Sequence, residues 1–253
     1  MNAPERNAAV GAVGAVTPAD VAARVDAIDW QRIGAELDAE GSAVVERLLA
    51  PAACDSLRAL YADPRRFRSR VVMARHGFGR GEYQYFEHPL PELVVALRAA
   101  LYPRLAPIAN RWHQAMGLDV RFPARHAEFL ARCHAAGQTR PTPLLLQYGA
   151  GDYNCLHQDL YGEHVFPLQV VILLAEPGRD FSGGEFVMIE QRPRMQSRAI
   201  VLPLSQGDAA VIAVHQRPVP GTRGTYRVNL RHGVSRVRAG QRHAAGIIFH
   251  DAV

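Results

Sequence analysis

The sequence predicts an α+β protein, with a helical N-terminal half packed against a C-terminal β-roll as one cooperative unit. Three observations predict it. Up to about residue 136, apolar residues recur at helical spacing, as at Leu93, Leu97, Leu101, Leu105 and Ile108. After Pro141 the pattern changes to short apolar runs separated by turn residues. The composition, 48% hydrophobic and 21% charged over 253 residues, suits a chain that buries a core rather than a disordered one.

Taken in order, residues 1–16 are rich in Ala, Gly and Val and read as a flexible tail. Residues 17–140 read as a helical region with a few strands, and 141–253 as the roll. Thr17-Pro18-Ala19-Asp20 is a helix start: a hydroxyl cap, a proline in the first turn, then an acid near the positive end of the helix. Helical patterns cover 21–28, 30–40 and 51–62, with a short strand over 41–45. A second strand, 67–74, leads into a glycine-rich turn at 77–81. Long apolar periodicity predicts a helix over 91–117, and another follows over 124–136. Strands are then predicted over 144–148, 165–175, 185–189, 198–204, 209–214, 226–232 and 244–249. Pro177-Gly178, Ser182-Gly183-Gly184, Gly207-Asp208 and Pro220-Gly221 punctuate them. Many short strands at this spacing argue for a sandwich or barrel.

Composition excludes several classes. No apolar run approaches the ~20 residues of a membrane span, so no membrane partner is expected. The N-terminus lacks the basic start and long apolar stretch of a secretory signal, and the cytoplasm is the expected compartment. Cys54, Cys133 and Cys155 lie far apart without a CxxC pair, which argues against a disulfide framework or a Cys-rich zinc site. All 29 basic residues are Arg, and the net charge is +5. Coding bias is the plain reading of the absence of Lys. The distribution is uneven, though: from Gln191 to His250 there is one acid, Asp208, against ten Arg. That half could attract an anionic ligand, but it carries no interleaved aromatic stacking platforms, so nucleic acid is a disfavoured partner.

The chemistry concentrates in Tyr153-Asn154-Cys155-Leu156-His157-Gln158-Asp159. On a strand, residues two apart face the same side, so His157 and Asp159 can present an imidazole and a carboxylate to one point. With one more His, this makes a facial site for ferrous iron that leaves positions open. Alone, the pair is a weak signal, because His157 could equally be a satisfied core histidine. The second segment is Arg231-His232-Gly233-Val234-Ser235-Arg236-Val237-Arg238-Ala239-Gly240-Gln241-Arg242. His232 follows Asp159 by 73 residues, enough for a later strand to return beside the first, and Arg242 follows His232 by ten. A turn at 238–240 would start a new strand at Arg242, whose guanidinium suits bidentate capture of a carboxylate. The plain alternative for Arg242 is a solvated surface side chain.

His157-x-Asp159 followed by His232-Gly-Val-Ser-x-Val-x-x-Gly-x-Arg242 resembles the iron(II)/2-oxoglutarate-dependent dioxygenases, most closely their prolyl 4-hydroxylase-like branch. Gln147-Tyr148-Gly149-Ala150-Gly151, Ser182-Gly183-Gly184-Glu185-Phe186 and Gly207-Asp208-Ala209-Ala210-Val211 look like further elements of that pattern. The resemblance spans residues 144–250. Phe186, where many relatives carry Thr, and His243, where Tyr or Trp is frequent, depart from it. The resemblance implies a double-stranded β-helix (the jelly-roll, cupin-like fold) with His157, Asp159 and His232 as iron ligands. It implies Arg242 as the partner of the 2-oxoglutarate distal carboxylate, and O2 as the second co-substrate. Tyr148 would hydrogen-bond the same carboxylate, or simply be a core aromatic.

Other residues have plainer readings. Cys155 is expected as a small buried thiol, with zinc ligation alongside Cys133 or His134 as the alternative. Asn154 and Gln158, of opposite parity, are expected to point outward or to support the ligands. His164, His215, His243 and His250 are rival third ligands. Asp208 is assigned to a turn. Arg75, Tyr83 and Tyr85, on the strand and turn around 75–85, form a substrate lid or a surface hairpin. Arg192 and Arg194 meet an anionic substrate or solvent.

The leading functional expectation is hydroxylation of a peptidyl or small-molecule C–H bond with release of succinate and CO2. Oxidative demethylation of alkylated nucleic acid is the second. Against it, Arg227-Val228-Asn229-Leu230-Arg231 precedes His232, and no Arg-x-Asn-x-x-x-Arg pattern follows. A non-enzymatic cupin-like metal sensor is the third, disfavoured by Arg242.

Overall fold

The computed structural model describes residues 17–222 and 224–253; the tail expected at 1–16 lies outside the described residues. Helix α1 (Pro18–Asp26) starts in a capping box, where the Thr17 side chain accepts from the Asp20 backbone and the Asp20 carboxylate accepts from the Thr17 backbone. Helix α2 (Trp30–Glu40) ends at Gly41, whose φ of 75° lets the chain turn directly into strand β1 (Ser42–Val45). Helix α3 (Pro51–Ala59) continues as a short 3-10 turn. Strand β2 (Phe67–Val72) stops earlier than the predicted 67–74, because residues Met73–Arg75 coil into a 3-10 turn. The glycine-rich turn then holds strand β3 (Gly79–Arg80) and leads into strand β4 (Glu82–Phe86). Helix α4 (Glu92–Ala115) is the long periodic segment, and α5 (His126–Ala135) follows it.

The roll contributes β5 (Leu144–Tyr148), β6 (Tyr153–His157), β7 (Leu168–Leu173), β8 (Phe181–Gly183), β9 (Phe186–Gln191), β10 (Arg198–Leu202) and β11 (Ala209–Ala213). It ends with β12 (Gln216–Gly221), β13 (Gly224–Val234), β14 (Val237–Gly240) and β15 (Arg242–Ile247). Two sheets carry the architecture. The larger runs β1-β11-β7-β15-β5-β4-β2, and the smaller runs β10-β9-β13-β6-β3 with β12 also paired to β13. The larger sheet thus takes strands from both sides of residue 141.

Burial explains the layers. Every residue of β7, β11 and β15 is buried, as expected for strands covered by helices on one face and by the second sheet on the other. Strand β9 alternates buried and half-buried residues, so its outer face is open. The buried pair Arg98–Asp251, 2.9 Å apart, ties α4 to the end of the roll, and His134 of α5 reaches the other oxygen of Asp251 at 2.9 Å. No helix among the described residues is long and apolar enough to cross a membrane.

Candidate metal centre and its cavity

Strand pairing brings the two motif segments together. Strand β13 lies antiparallel to β6, with His232 directly opposite His157. β6 ends at His157, so Asp159 sits in the loop just past the strand rather than on it, and the loop returns its carboxylate to the imidazoles. One ligand atom from each of His157, Asp159 and His232 lies within 4.8 Å of the others. Asp159 Oδ1 is 3.5 Å from His157 Nε2, and Oδ2 is 3.4 Å from His232 Nε2. The His157 Nδ1 faces the Cys155 carbonyl at 2.8 Å, which fixes the ring and leaves Nε2 to face the cluster. The ring of His232 is held flat against Phe186, with centroids 5.9 Å apart.

The three groups are electrostatically coupled. Burial alone would raise the Asp159 carboxyl, but hydrogen bonding and charge from both imidazoles outweigh it and hold the group well below the usual carboxylate range. Burial pushes His157 down, yet Asp159 and the Cys155 carbonyl reverse this and raise it. For His232 burial wins, and its pKa is lowered. A carboxylate and two imidazoles on one point form a mixed oxygen–nitrogen donor set that suits iron(II) and leaves coordination positions open.

Arg242 opens β15 with its neighbour in register, Tyr148, on β5. Both are fully buried, and the guanidinium carbon lies 5.6 Å from the Tyr148 ring and 5.9 Å from that of Phe181. Among the described residues no carboxylate pairs with Arg242, and its Nε has no partner. Burial lowers its pKa, while Tyr148 and Glu185 oppose the shift. A buried guanidinium with no acid paired to it is a site prepared for an anion. The residues present therefore fit both iron(II) and a keto-diacid.

All five residues line one cavity of about 330 Å³ between the sheets. Other expectations fare differently. His164, His215, His243 and His250 do not join the cluster; burial holds His243 and His250 down at about 4. Cys133 is buried and His134 pairs with Asp251, so neither approaches a metal. Cys155 is exposed at the cavity wall, not a buried thiol. Its strand, β6, has the long β13 on one side and only the short β3 on the other. Asn154 also lines the cavity, its amide 3.4 Å from the Tyr148 hydroxyl, while Gln158 bonds the Leu230 carbonyl. Asp208 caps its turn by accepting from the Ser205 and Arg47 backbone. Tyr83 and Tyr85 line the cavity, whereas Arg75 is exposed outside it. Arg192 is paired with Glu190, and Arg194 is exposed.

Sequence reasoning missed two residues. Tyr161 donates to Asp159 Oδ1 at 2.8 Å, and Gln169 donates to Oδ2 at 2.9 Å. The signal for Gln169 was present: it is the one polar residue in Leu168–Leu173, a strand buried throughout.

Solved structures with this fold include a 2OG-Fe(II) oxygenase-family oxidoreductase from Burkholderia pseudomallei, 17% identical, covering 87% of this chain and 90% of that one, TM-score 0.50. The non-heme alpha-ketoglutarate-dependent epimerase SnoN of nogalamycin biosynthesis is 15% identical, covers 86% and 81%, and has a TM-score of 0.51. A Phytophthora capsici prolyl 4-hydroxylase is 14% identical, covers 92% and 65%, and scores 0.50. The fold is thus the jelly-roll of the 2OG-Fe(II) oxygenases, a class that uses iron(II), 2-oxoglutarate and O2. Within that class, a family model described as "Oxygenase, catalysing oxidative methylation of damaged DNA" matches residues 81–252, more than half of the chain. The chain belongs to this oxygenase family. An uncharacterized protein of Mycobacterium tuberculosis is 48% identical over 191 residues, 74% of this chain and 82% of that protein.

Proposed function

We propose that this protein is an iron(II)- and 2-oxoglutarate-dependent oxygenase that hydroxylates a C–H bond and releases succinate and CO2. One observation carries the reading: the His157–Asp159–His232 cluster shares one cavity with a buried guanidinium, Arg242, that no carboxylate among the described residues pairs with. His157, Asp159 and His232 hold the metal, Arg242 grips the far carboxylate of 2-oxoglutarate, and Tyr148 donates beside it. The bound metal supplies the oxidation chemistry, and the protein orients the reactants and excludes water. The free thiols agree with a reducing cytoplasm.

For the primary substrate, an alkylated nucleic-acid base is the first reading. The family description names damaged DNA. The aromatics absent from the basic half come from elsewhere: Tyr83, Tyr85 and Tyr161 line the cavity, successive rings perpendicular at 5.4 and 6.4 Å. Planar faces of this kind suit a ring. Hydroxylating an N-methyl carbon converts C–H to C–OH, and the product loses formaldehyde to leave the bare base. A peptidyl or small-molecule substrate is the second reading, favoured by the apolar remainder of the wall, Leu144, Leu146, Val171 and Ile248.

The test supplies ferrous iron, 2-oxoglutarate and O2 with an N-methylated single-stranded oligonucleotide. Succinate and formaldehyde in step are expected, with both lost in His157→Ala and Asp159→Ala. Absence of succinate with every substrate class would overturn the oxygenase reading. Succinate stimulated by peptides or metabolites, but never by methylated DNA, would overturn the base reading alone.

A further inference from the structure

Asp159 is the only carboxylate of the cluster, and both of its oxygens are held. Tyr161 Oη donates to Oδ1 at 2.8 Å, and Gln169 Nε2 donates to Oδ2 at 2.9 Å while lying 3.2 Å from His232 Nε2. The orientation of Gln169 is set by charge: the reverse arrangement would aim a carbonyl at a carboxylate. Its Oε1 is buried in the cavity wall without a partner among the described residues. A core that needed only packing at this position would hold an apolar side chain, like the rest of β7. The polar group is tolerated at a cost that a partner in the cavity would relieve.

The two donors come from independent supports. Gln169 projects from the fully buried β7. Tyr161 sits in the loop after β6, and that loop is pinned by Gln138. The Gln138 amide donates to the Tyr161, His164 and Asp251 carbonyls at 3.2, 3.2 and 2.6 Å, and its oxygen accepts from the His164 backbone at 2.7 Å. Gly162 keeps the loop close to this amide, since a Cβ there would lie 2.5 Å from Gln138 Cδ. A carboxylate that gives one lone pair to a metal still has others facing a low-dielectric wall, and a donor on each oxygen keeps it satisfied in either binding mode.

We propose that Gln169 and Tyr161 are positioning residues that clamp the Asp159 carboxylate from both sides and so set the metal affinity of the centre. The clamp holds the ligand in place before the metal arrives. It rests on the assignment of Asp159 as a metal ligand made above, and goes beyond it by assigning the affinity to two residues outside the ligand set.

The test uses the full chain stripped of metal by a chelator and titrated with Co(II) without oxygen, following the visible absorption of the bound ion. Gln169→Met keeps the volume and removes the donor; Tyr161→Phe keeps the ring, which packs 6.4 Å from Tyr85. Each is expected to weaken Co(II) binding by roughly 10–100-fold, as the loss of supporting hydrogen bonds at metal ligands does. The melting midpoint in chelator should stay within a few degrees of the parent, which separates positioning from a general loss of structure. Parent-like affinity in both variants would overturn the clamp while leaving the metal centre intact. A parent that binds no Co(II), or an Asp159→Ala variant that binds it as well as the parent, would instead overturn the ligand assignment. If Gln169→Met does not fold, Tyr161→Phe decides the matter by the same titration.

Discussion

At the scale of single residues, what matters is which polar groups are left without a partner. Arg242 is enclosed by Tyr148 and Phe181 and meets no acid among the described residues. A hydrogen bond to a charged group contributes about 1.5–3 kcal/mol, equivalent to roughly 10–150-fold in affinity. Arg242→Ala is therefore expected to raise the 2-oxoglutarate requirement by about that factor and to leave Co(II) binding near the parent value. Arg242→Lys should recover only part of the loss, because an ammonium keeps the charge but not the planar fork. An unchanged requirement measured by succinate release would remove Arg242 from its role. The cluster was legible in the chain through the family resemblance that His157-x-Asp159 and the His232-to-Arg242 spacing carry, since the His-x-Asp pair alone is a weak signal. The hydrogen bonds on Asp159 were not, because Tyr161 and Gln169 acquire meaning only from where their side chains end.

At the scale of elements, glycines decide how closely strands approach the site. Gly240 has a φ of 77°, and a Cβ there would lie 2.0 Å from the Asp180 carbonyl oxygen. It closes the turn from β14 into β15 and so sets where Arg242 enters the sheet. Gly240→Ala combines left-handed strain with a backbone clash and is expected to cost about 2 kcal/mol or more. For a chain of this size that is a fall of roughly 4–8 °C in melting midpoint. A parent-like thermal transition would show that the turn relaxes. Element reading from the sequence worked where periodicity was long or punctuation strong: α2 at Trp30–Glu40 and β5 at Leu144–Tyr148 match their predicted spans. It failed for β8, β12 and β14, which are short or proline-containing and take their form from a partner strand.

At the scale of the whole molecule, burial of titratable groups links stability to pH. His126, His243 and His250 are pushed down to about 4, in each case first by burial and then by a neighbouring Arg. In the unfolded chain these rings take up protons near pH 6.5, so between about 4 and 6.5 the unfolded state binds more protons than the native one. Stability is then full above pH 6.5 and falls as pH drops through this window, by up to about 1.4 kcal/mol per unit for each group. Urea unfolding at pH 7.5 and pH 5 should show a lower midpoint at the acidic value; equal midpoints would mean the rings are not buried in neutral form. The sequence by itself determined the longer helices and strands, because periodicity and turn residues are local properties of a chain, and its motifs pointed through a family resemblance to the oxygenase class. Only the tertiary structure decided what surrounds the metal centre. Tyr83 and Tyr85 reach the cavity because β4 joins the larger sheet beside β5, and Gln169 reaches Asp159 because β7 faces the smaller sheet. Such neighbours are set by strand order and sheet stacking, which bring together residues that no local spacing relates.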